Sequence, residues 1–237
     1  MRHLFYCGKI SHLIDQTVKL GQGNIDILLF SFMLREVDYT MGFWKEAFEA
    51  VKENDPAARY NFEIFLTYPG VKALAAHKVS HFLWRHHFKL LGRIHSQFWR
   101  FLTQIEIHPG AIIENGVFID HGSGLVIGET AQVETGAKLY HGVTLGGTGK
   151  DTGKRHPTIR KGALVSAHAQ LLGPIEVGEN AKIGASAVVT KDVPSAVTVV
   201  GIPAKIVRVH GPATADRDKA KLERERHVSF YDHMGGI

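Results

Sequence analysis

Cysteine is all but missing, with Cys7 the single one in 237 residues. One thiol can neither close an intrachain disulfide nor build a thiolate metal cluster, so nothing in the chain calls for an oxidising compartment. Long apolar runs are missing too. The longest, Ile25 to Leu34, is interrupted by Asp26 and Ser31 and is about half of what crosses a bilayer. A basic start, an apolar stretch and a small-residue cleavage site do not occur together, so no signal peptide is expected. The chain therefore reads as cytoplasmic, with no membrane partner. Nor is there a block of like charge. Net charge is +5 with histidine neutral, and the pI is about 9.3. The densest basic stretch, Lys205 to Arg226, is mixed with acids, and no nucleic-acid recognition motif accompanies it. The charge suits an enzyme whose cosubstrate carries phosphates, and no nucleic-acid partner is expected.

The sequence divides into four segments. Residues 1–40 have weak periodicity, and a cleaner amphipathic pattern begins at Phe43. Met41 thus reads as an alternative start, with residues 1–40 an extension that carries no chemistry. Residues 41–104 read as an α-helical domain. Within it, Asp55-Pro56 reads as an N-cap followed by proline in the first turn. Tyr68-Pro69-Gly70 reads as a turn between helices. Val71, Leu74, Ala75, Val79, Phe82 and Leu83 recur at three- and four-residue spacing, which predicts one buried helix face.

Residues 105–207 are a repeat. Steps of six from Ile107 pass through Ile113, Ile119, Leu125, Ala131, Ala137 and Val143. The count restarts at Ile159 and passes through Val165, Leu171, Val177, Ile183 and Val189. Every position is aliphatic or alanine. Three residues further on stand Gly110, Gly116, Gly122, Gly128, Gly146, Gly162, Asn180, Ser186 and Asp192, which suit corners. An inward aliphatic and a turn every six residues predict a parallel β-helix. A helical period does not fit, and a sandwich or barrel needs longer alternating strands. Residues 208–237 are polar and charged up to His227 and read as a flexible tail. The fold class is therefore α+β: an N-terminal α-helical domain, a parallel β-helix, and a C-terminal tail.

The repeat breaks twice around polar residues. From Thr144 to Thr158 a loop leaves the coil with four glycines, two lysines, Arg155 and His156. Glycine-rich backbone can offer N–H groups to anionic oxygens, and the same composition also suits a solvated excursion. The second island is Asp120-His121-Gly122-Ser123-Gly124. A neutral imidazole there can take a proton from a hydroxyl, and a carboxylate can fix its tautomer. Asp120 and Glu106 are both candidates for that carboxylate. Glu106 precedes His121 by fifteen residues, close to one coil of eighteen, so the two could be vertical neighbours. His77 and His81 stand four apart on a helix but lack a glutamate base and a third ligand, so no metal site is expected. His86, His87 and His141 read as packed or solvated side chains.

These motifs carry a resemblance. Asp120 to Ala131, followed by Val143 to Lys150 and Arg155-His156-Pro157, closely resembles the serine acetyltransferases of cysteine biosynthesis. The similarity runs from about Phe43 to Val209 and includes Asn54 to Ala58 and Gly201 to Lys205. The hexapeptide repeat alone is shared by many acyltransferases, whereas this combination is specific. The resemblance implies a left-handed β-helix, subunits joined as a homotrimer or a dimer of trimers, and an active site between adjacent subunits. It implies transfer of acetyl from acetyl-CoA to L-serine. His121 matches the general base, and Glu106 its carboxylate partner, where many members have aspartate. Asp55 and Asp120 match residues that bind the substrate amino group, and Arg155 and His156 those that hold its carboxylate. Gly147, Ala167, Lys182 and Ala185 match positions along the acetyl-CoA groove, while Ser166 and His168 stand where glycine is usual.

The resemblance also implies feedback inhibition by L-cysteine. The terminal Ile237 matches the residue that enters O-acetylserine sulfhydrylase (cysteine synthase). Two other readings of the repeat remain at this point. One is a hexapeptide O-acetyltransferase with a sugar, an antibiotic or another amino acid as acceptor. The other is a non-catalytic β-helix used for assembly. A three-histidine zinc site of the γ-carbonic-anhydrase type cannot be assembled from the sequence.

Overall fold

The computed structural model describes residues 42–149 and 152–210. The chain divides into two compact units, Met1–Lys45 and Glu46–Ile237. Apart from the first turn of the first helix, the elements described belong to the second unit. Helices come first: α1 over residues 42–54, α2 Asn61–Thr67, α3 Pro69–Arg85 and α4 Lys89–Thr103. Short parallel strands then wind into a three-faced, left-handed β-helix.

The first face holds β1 (Glu106–Ile107), β4 (Val126–Ile127), β7 (Thr144–Gly146), β10 (Gln170–Leu172) and β13 (Val188–Val189). The second holds β2 (Ile112–Ile113), β5 (Gln132–Val133), β8 (Thr158–Ile159) and β11 (Glu176–Val177). The third holds β3 (Phe118–Asp120), β6 (Lys138–Tyr140), β9 (Leu164–Val165), β12 (Lys182–Ile183) and β14 (Val197–Val200). An antiparallel strand, β15 (Lys205–Val209), closes the third face.

All thirteen residues of the six-step count are buried, none more than 7% exposed. Apart from Ala131 and Ala137, which bury only a methyl group, each contributes roughly 1.5–3 kcal/mol by leaving water, and each coil rests only on its neighbours. The strand register shows what the count passed over. Ile107 pairs with Ile127, twenty residues on, while Ile127 pairs with Leu145, eighteen on. The two extra residues lie between Ile119 and Ile127, at the His121 island. The step survives them because a second inward column, Leu125, Ala131, Ala137 and Val143, runs two positions before the strand residues Ile127, Val133, Leu139 and Leu145. Of the expected corner glycines, Gly116, Gly122 and Gly162 have left-handed φ, whereas Gly110, Gly128 and Gly146 do not.

Helices α3 and α4 cover the open end of the first coil. An uncovered coil would present a row of unpaired carbonyls. Here Ser96 Oγ donates to the Ile107 carbonyl at 2.7 Å, and Lys78 Nζ to Ile113 at 3.2 Å. His81 Nδ1–H donates to Pro109 at 2.8 Å, and His77 Nε2–H to Ala111 at 3.2 Å. The histidine pair thus spends these nitrogens on backbone. Nδ1 of His77 is buried without a partner, beside a cavity of about 10 Å³ lined by Ala73, Ser80, Ser96 and Trp99.

This docking keeps Val71 and Leu74 of the expected helix face buried but turns Val79 and Phe82 outward. The buried residues of α3 are Gly70, Val71, Ala73, Leu74, Ala76, His77 and Ser80, while Val79 and Phe82 are 50% and 46% exposed. Small side chains win because the helix must approach a backbone. A Cβ on Gly70 would stand 2.4 Å from the Ile119 carbonyl oxygen. Two boundary readings change as well. Pro69 and Gly70 open α3 rather than forming a turn, since proline's fixed φ suits the first helical position. Asp55 caps no helix, because α1 ends at residue 54 and α2 begins at Asn61. Its Oδ1 instead accepts the Ala57 N–H at 2.8 Å in a local turn.

Candidate active site

Two polar clusters sit on different edges of the prism. The first lies where the third face turns into the first, after β3. Asp120 ends β3 in register with Tyr140, and His121 follows with φ of 57°. The His121 side chain is 73% exposed, with Nε2 at 3.7 Å from Asp120 Oδ1. Asp55 joins this edge through Tyr68, whose hydroxyl donates to Asp55 Oδ2 at 2.5 Å. That bond, the Ala57 N–H and the charge of His121 hold the Asp55 carboxyl below its ordinary range. The same bond, with burial, pushes the Tyr68 hydroxyl up to about 12. Two carboxylates beside an exposed imidazole suit an ammonium group next to a hydroxyl.

Glu106 is placed differently from expectation. With twenty residues in the first coil its vertical neighbour is Val126, not His121. Its Oε2 lies 3.2 Å from Nε of Arg100, on the last turn of α4.

The second cluster lies where the first face turns into the second, at the end of the long loop. Thr130 organises it. Its Oγ1 accepts the N–H groups of Arg155 and His156 at 3.0 and 3.1 Å, and donates to His156 Nδ1 at 2.9 Å. The Thr130 N–H also donates to Nδ1, at 3.2 Å. An accepting Nδ1 puts the proton of the neutral ring on Nε2. Burial, then the Arg155 charge, keeps His156 below its usual pKa, so it stays a neutral donor. Gly128 makes room for it, since a Cβ there would fall 2.0 Å from His156 Cδ2.

Arg155 pairs with Glu129. Burial pushes the Glu129 carboxyl up, but that pairing and the nearby positive charges leave it below the ordinary range. Lys154 Nζ ties the loop down by donating to the Thr130 carbonyl at 2.7 Å. His108 stands nearby, its ring edge-on to Trp84 at 4.9 Å, pushed down to about 4 by burial and then by Arg93. A guanidinium and a neutral N–H donor on a pinned loop suit a carboxylate.

The residues expected to line a cosubstrate groove divide between these edges. Ala167 and Ala185 stack above His121 on the third–first edge, linked by the Ser186 N–H donating to the Ala167 carbonyl at 2.9 Å. Lys182 is exposed on the adjoining third face. Gly147 lies on the other edge, beside Arg155 and His156. Ile237 lies outside the described residues.

The chain is similar to the serine acetyltransferase of Bacillus subtilis, 53% identical over 167 residues, 70% of this chain and 77% of the relative. The chain belongs to the serine acetyltransferase family.

The serine acetyltransferase of Helicobacter pylori is 52% identical over 159 residues, 67% of this chain and 93% of the relative. No protein-family model matches. Among solved structures, the Brucella abortus serine acetyltransferase in complex with coenzyme A superposes with a TM-score of 0.72 and 40% identity, covering 79% of this chain and 75% of that one. The Neisseria gonorrhoeae serine acetyltransferase in complex with serine gives 0.69 and 36% identity, covering 76% and 73%. A serine acetyltransferase in complex with cysteine gives 0.73 and 35%, covering 80% and 74%.

Both islands stand out in the sequence, whereas the residues that support them do not. Glu129 and Thr130 stand twenty-six residues before Arg155 and His156. A coil count that included the loop would have stacked them. Tyr68 gave no signal, because its partner Asp55 precedes it on a separate turn. No helix among the described residues is long and apolar enough to cross a membrane.

Proposed function

We propose that the chain transfers the acetyl group of acetyl-CoA to the hydroxyl of L-serine at a site shared between two copies of itself. The observation that carries this reading is the separation of the clusters. Asp55, Asp120 and His121 gather on the third–first edge, and Arg155 and His156 on the first–second edge. One serine carries an ammonium, a hydroxyl and a carboxylate within a few ångströms. The two edges meet around it when a neighbouring copy supplies the second, as in a cyclic homotrimer.

In the reaction, Asp55 and Asp120 hold the serine ammonium and Arg155 and His156 hold its carboxylate. His121 takes the hydroxyl proton as the oxygen attacks the thioester carbonyl carbon. Backbone N–H groups from Gly146 to Gly149 stabilise the tetrahedral oxyanion. Its collapse breaks the C–S bond and expels the CoA thiolate, which takes the proton back from the imidazolium. The products are O-acetyl-L-serine and CoA, and no enzyme residue is acylated. The family resemblance gives Glu106 the role of fixing the tautomer of His121, which requires its carboxylate to exchange Arg100 for the ring. The cosubstrate lies along the column of Ala167 and Ala185, with Lys182 and Gly147 at its margins.

The remaining partners follow the same chemistry. L-Cysteine carries the ammonium and carboxylate of serine and competes for both clamps. The apolar residues left exposed on the helices, Phe62, Leu66, Leu90, Ile94 and Phe101 among them, suit pairing of two trimers. No metal takes part, and the reaction belongs to the cytoplasm, as a step toward cysteine.

Two experiments test this reading. His121→Ala and Arg155→Ala subunits are each expected to keep about 1% or less of the parent's activity. Co-assembled, they regain activity at about a quarter of the sites, those that draw one intact edge from each parent. Mixed assemblies with no activity contradict a shared site. Removing Ile237 is expected to abolish binding to O-acetylserine sulfhydrylase and to spare acetyl transfer, and titration calorimetry showing full binding would refute the tail as the anchor.

A further inference from the structure

Three imidazoles rise along the third–first edge. The His121 and His141 ring centroids are 5.7 Å apart at 74°, and those of His141 and His168 are 5.0 Å apart at 88°. Both contacts are edge-to-face, a favourable arrangement for aromatic rings. Nδ1 of His141 is buried with no hydrogen-bond partner. That nitrogen gives the ring no anchor, so its orientation rests on packing against its two neighbours.

His168 occupies this place at a conformational cost. Its φ is 60°, in the region that glycine enters freely and a side-chain-bearing residue enters under strain. The equivalent corner one coil below is Gly142, with φ of 67°. The ring of His168 lies directly over that glycine, where a Cβ would stand 2.2 Å from His168 Nδ1. The backbone is drawn together as well, the His168 N–H donating to the His141 carbonyl at 3.0 Å.

We propose that His168 is a positioning residue for the base. Through the ring of His141 it holds the exposed imidazole of His121 in the orientation that removes the serine proton. The inference rests on His121 being that base. His168 touches no reacting atom. It acts by packing, so its contribution falls on the rate of the chemical step and not on the binding of either substrate. A competing role in the coenzyme groove would fall on acetyl-CoA binding instead.

The test uses the full chain, with acetyl-CoA, L-serine and detection of the CoA thiol. His168→Gly relieves the left-handed strain and His168→Asn tolerates it, so both variants fold, and melting curves verify this. Both are expected to lower kcat by about tenfold, the scale of a small misplacement of a catalytic group. The KM values for L-serine and acetyl-CoA stay within about twofold of the parent's. An unchanged kcat in His168→Gly, or an effect confined to the KM for acetyl-CoA, overturns the proposal. His121→Ala, measured in parallel, separates the two ideas. If it is inactive while His168→Gly matches the parent, only the positioning role is lost. If it stays active, the assignment of the base fails first.

Discussion

His121→Ala is expected to keep the fold and lose roughly 10²- to 10⁴-fold in kcat, the range that a positioned general base contributes. The fold should survive because the His121 side chain is 73% exposed, and its contacts are the edge-on ring of His141 and the carboxylate of Asp120. Alanine leaves no buried group unpaired there, and it enters the left-handed corner at a somewhat higher cost than histidine, a local strain confined to one exposed residue. On the proposed roles, the residual rate comes from substrate alignment by Asp55, Asp120, Arg155 and His156, which the substitution leaves in place. KM for L-serine should therefore move much less than kcat. Thermal melting beside steady-state kinetics measures both, and full activity in this variant would remove the base from the mechanism.

The second large effect is on stability, and it is set by pH. Burial, followed by the charges of His81, Lys78 and His108, pushes His77 down to about 3 in the folded chain. Unfolded, it titrates near 6.5. Above pH 6.5 the ring is neutral in both states and contributes no pH dependence. Between 6.5 and 3 the unfolded chain binds a proton that the folded chain refuses, so stability falls as the pH falls.

The slope is about 1.4 kcal/mol per pH unit, which gives about 2 kcal/mol between pH 6.5 and 5. His108, His95 and His156 are also lowered, so they add to the fall in the same direction. The carboxylates held low, such as Glu176 and Glu63, lose their contribution only at lower pH. That leaves the interval from 6.5 to 5 to the histidines. His77→Gln keeps an N–H donor for the Ala111 carbonyl but cannot be protonated. In urea melts it is expected to lose about 2 kcal/mol less than the parent over that interval. Parallel pH dependences for the two chains would show that His77 is not buried neutral at the helix–coil junction.

The period of the β-helix was legible because each coil repeats one physical demand, an aliphatic side chain pointing inward. What surrounds the site was legible only in part, because the sites interrupt that demand. The two-residue insertion at Asp120 to Gly124 left the six-step count intact, since Leu125 and Ala131 belong to a second buried column. The same insertion lengthens the coil to twenty residues and moves Glu106 beside Val126. Asp55-Pro56 has the composition of a helix start, yet a carboxylate satisfies a turn N–H equally well, and Tyr68 claimed its second oxygen. The spacing on α3 marked a helix and the start of its buried face, Val71 and Leu74, but not its continuation through Ala73, His77 and Ser80. A coil edge with open carbonyls selects histidine, serine and lysine donors over Val79 and Phe82. Arg155 and His156 stood out by residue type, whereas Thr130, which binds both, is a common residue a long coil away.

The most direct measurement of the central claim is release of the CoA thiol from acetyl-CoA with L-serine as acceptor, run beside homoserine, threonine and a panel of sugars. Paired acidic and basic clamps that fit one small amino acid predict rapid release with L-serine and little with the others. Faster release with a sugar, or with an amino acid of different length, would leave the β-helix and His121 in place. It would contradict the roles given to Asp55, Asp120, Arg155 and His156.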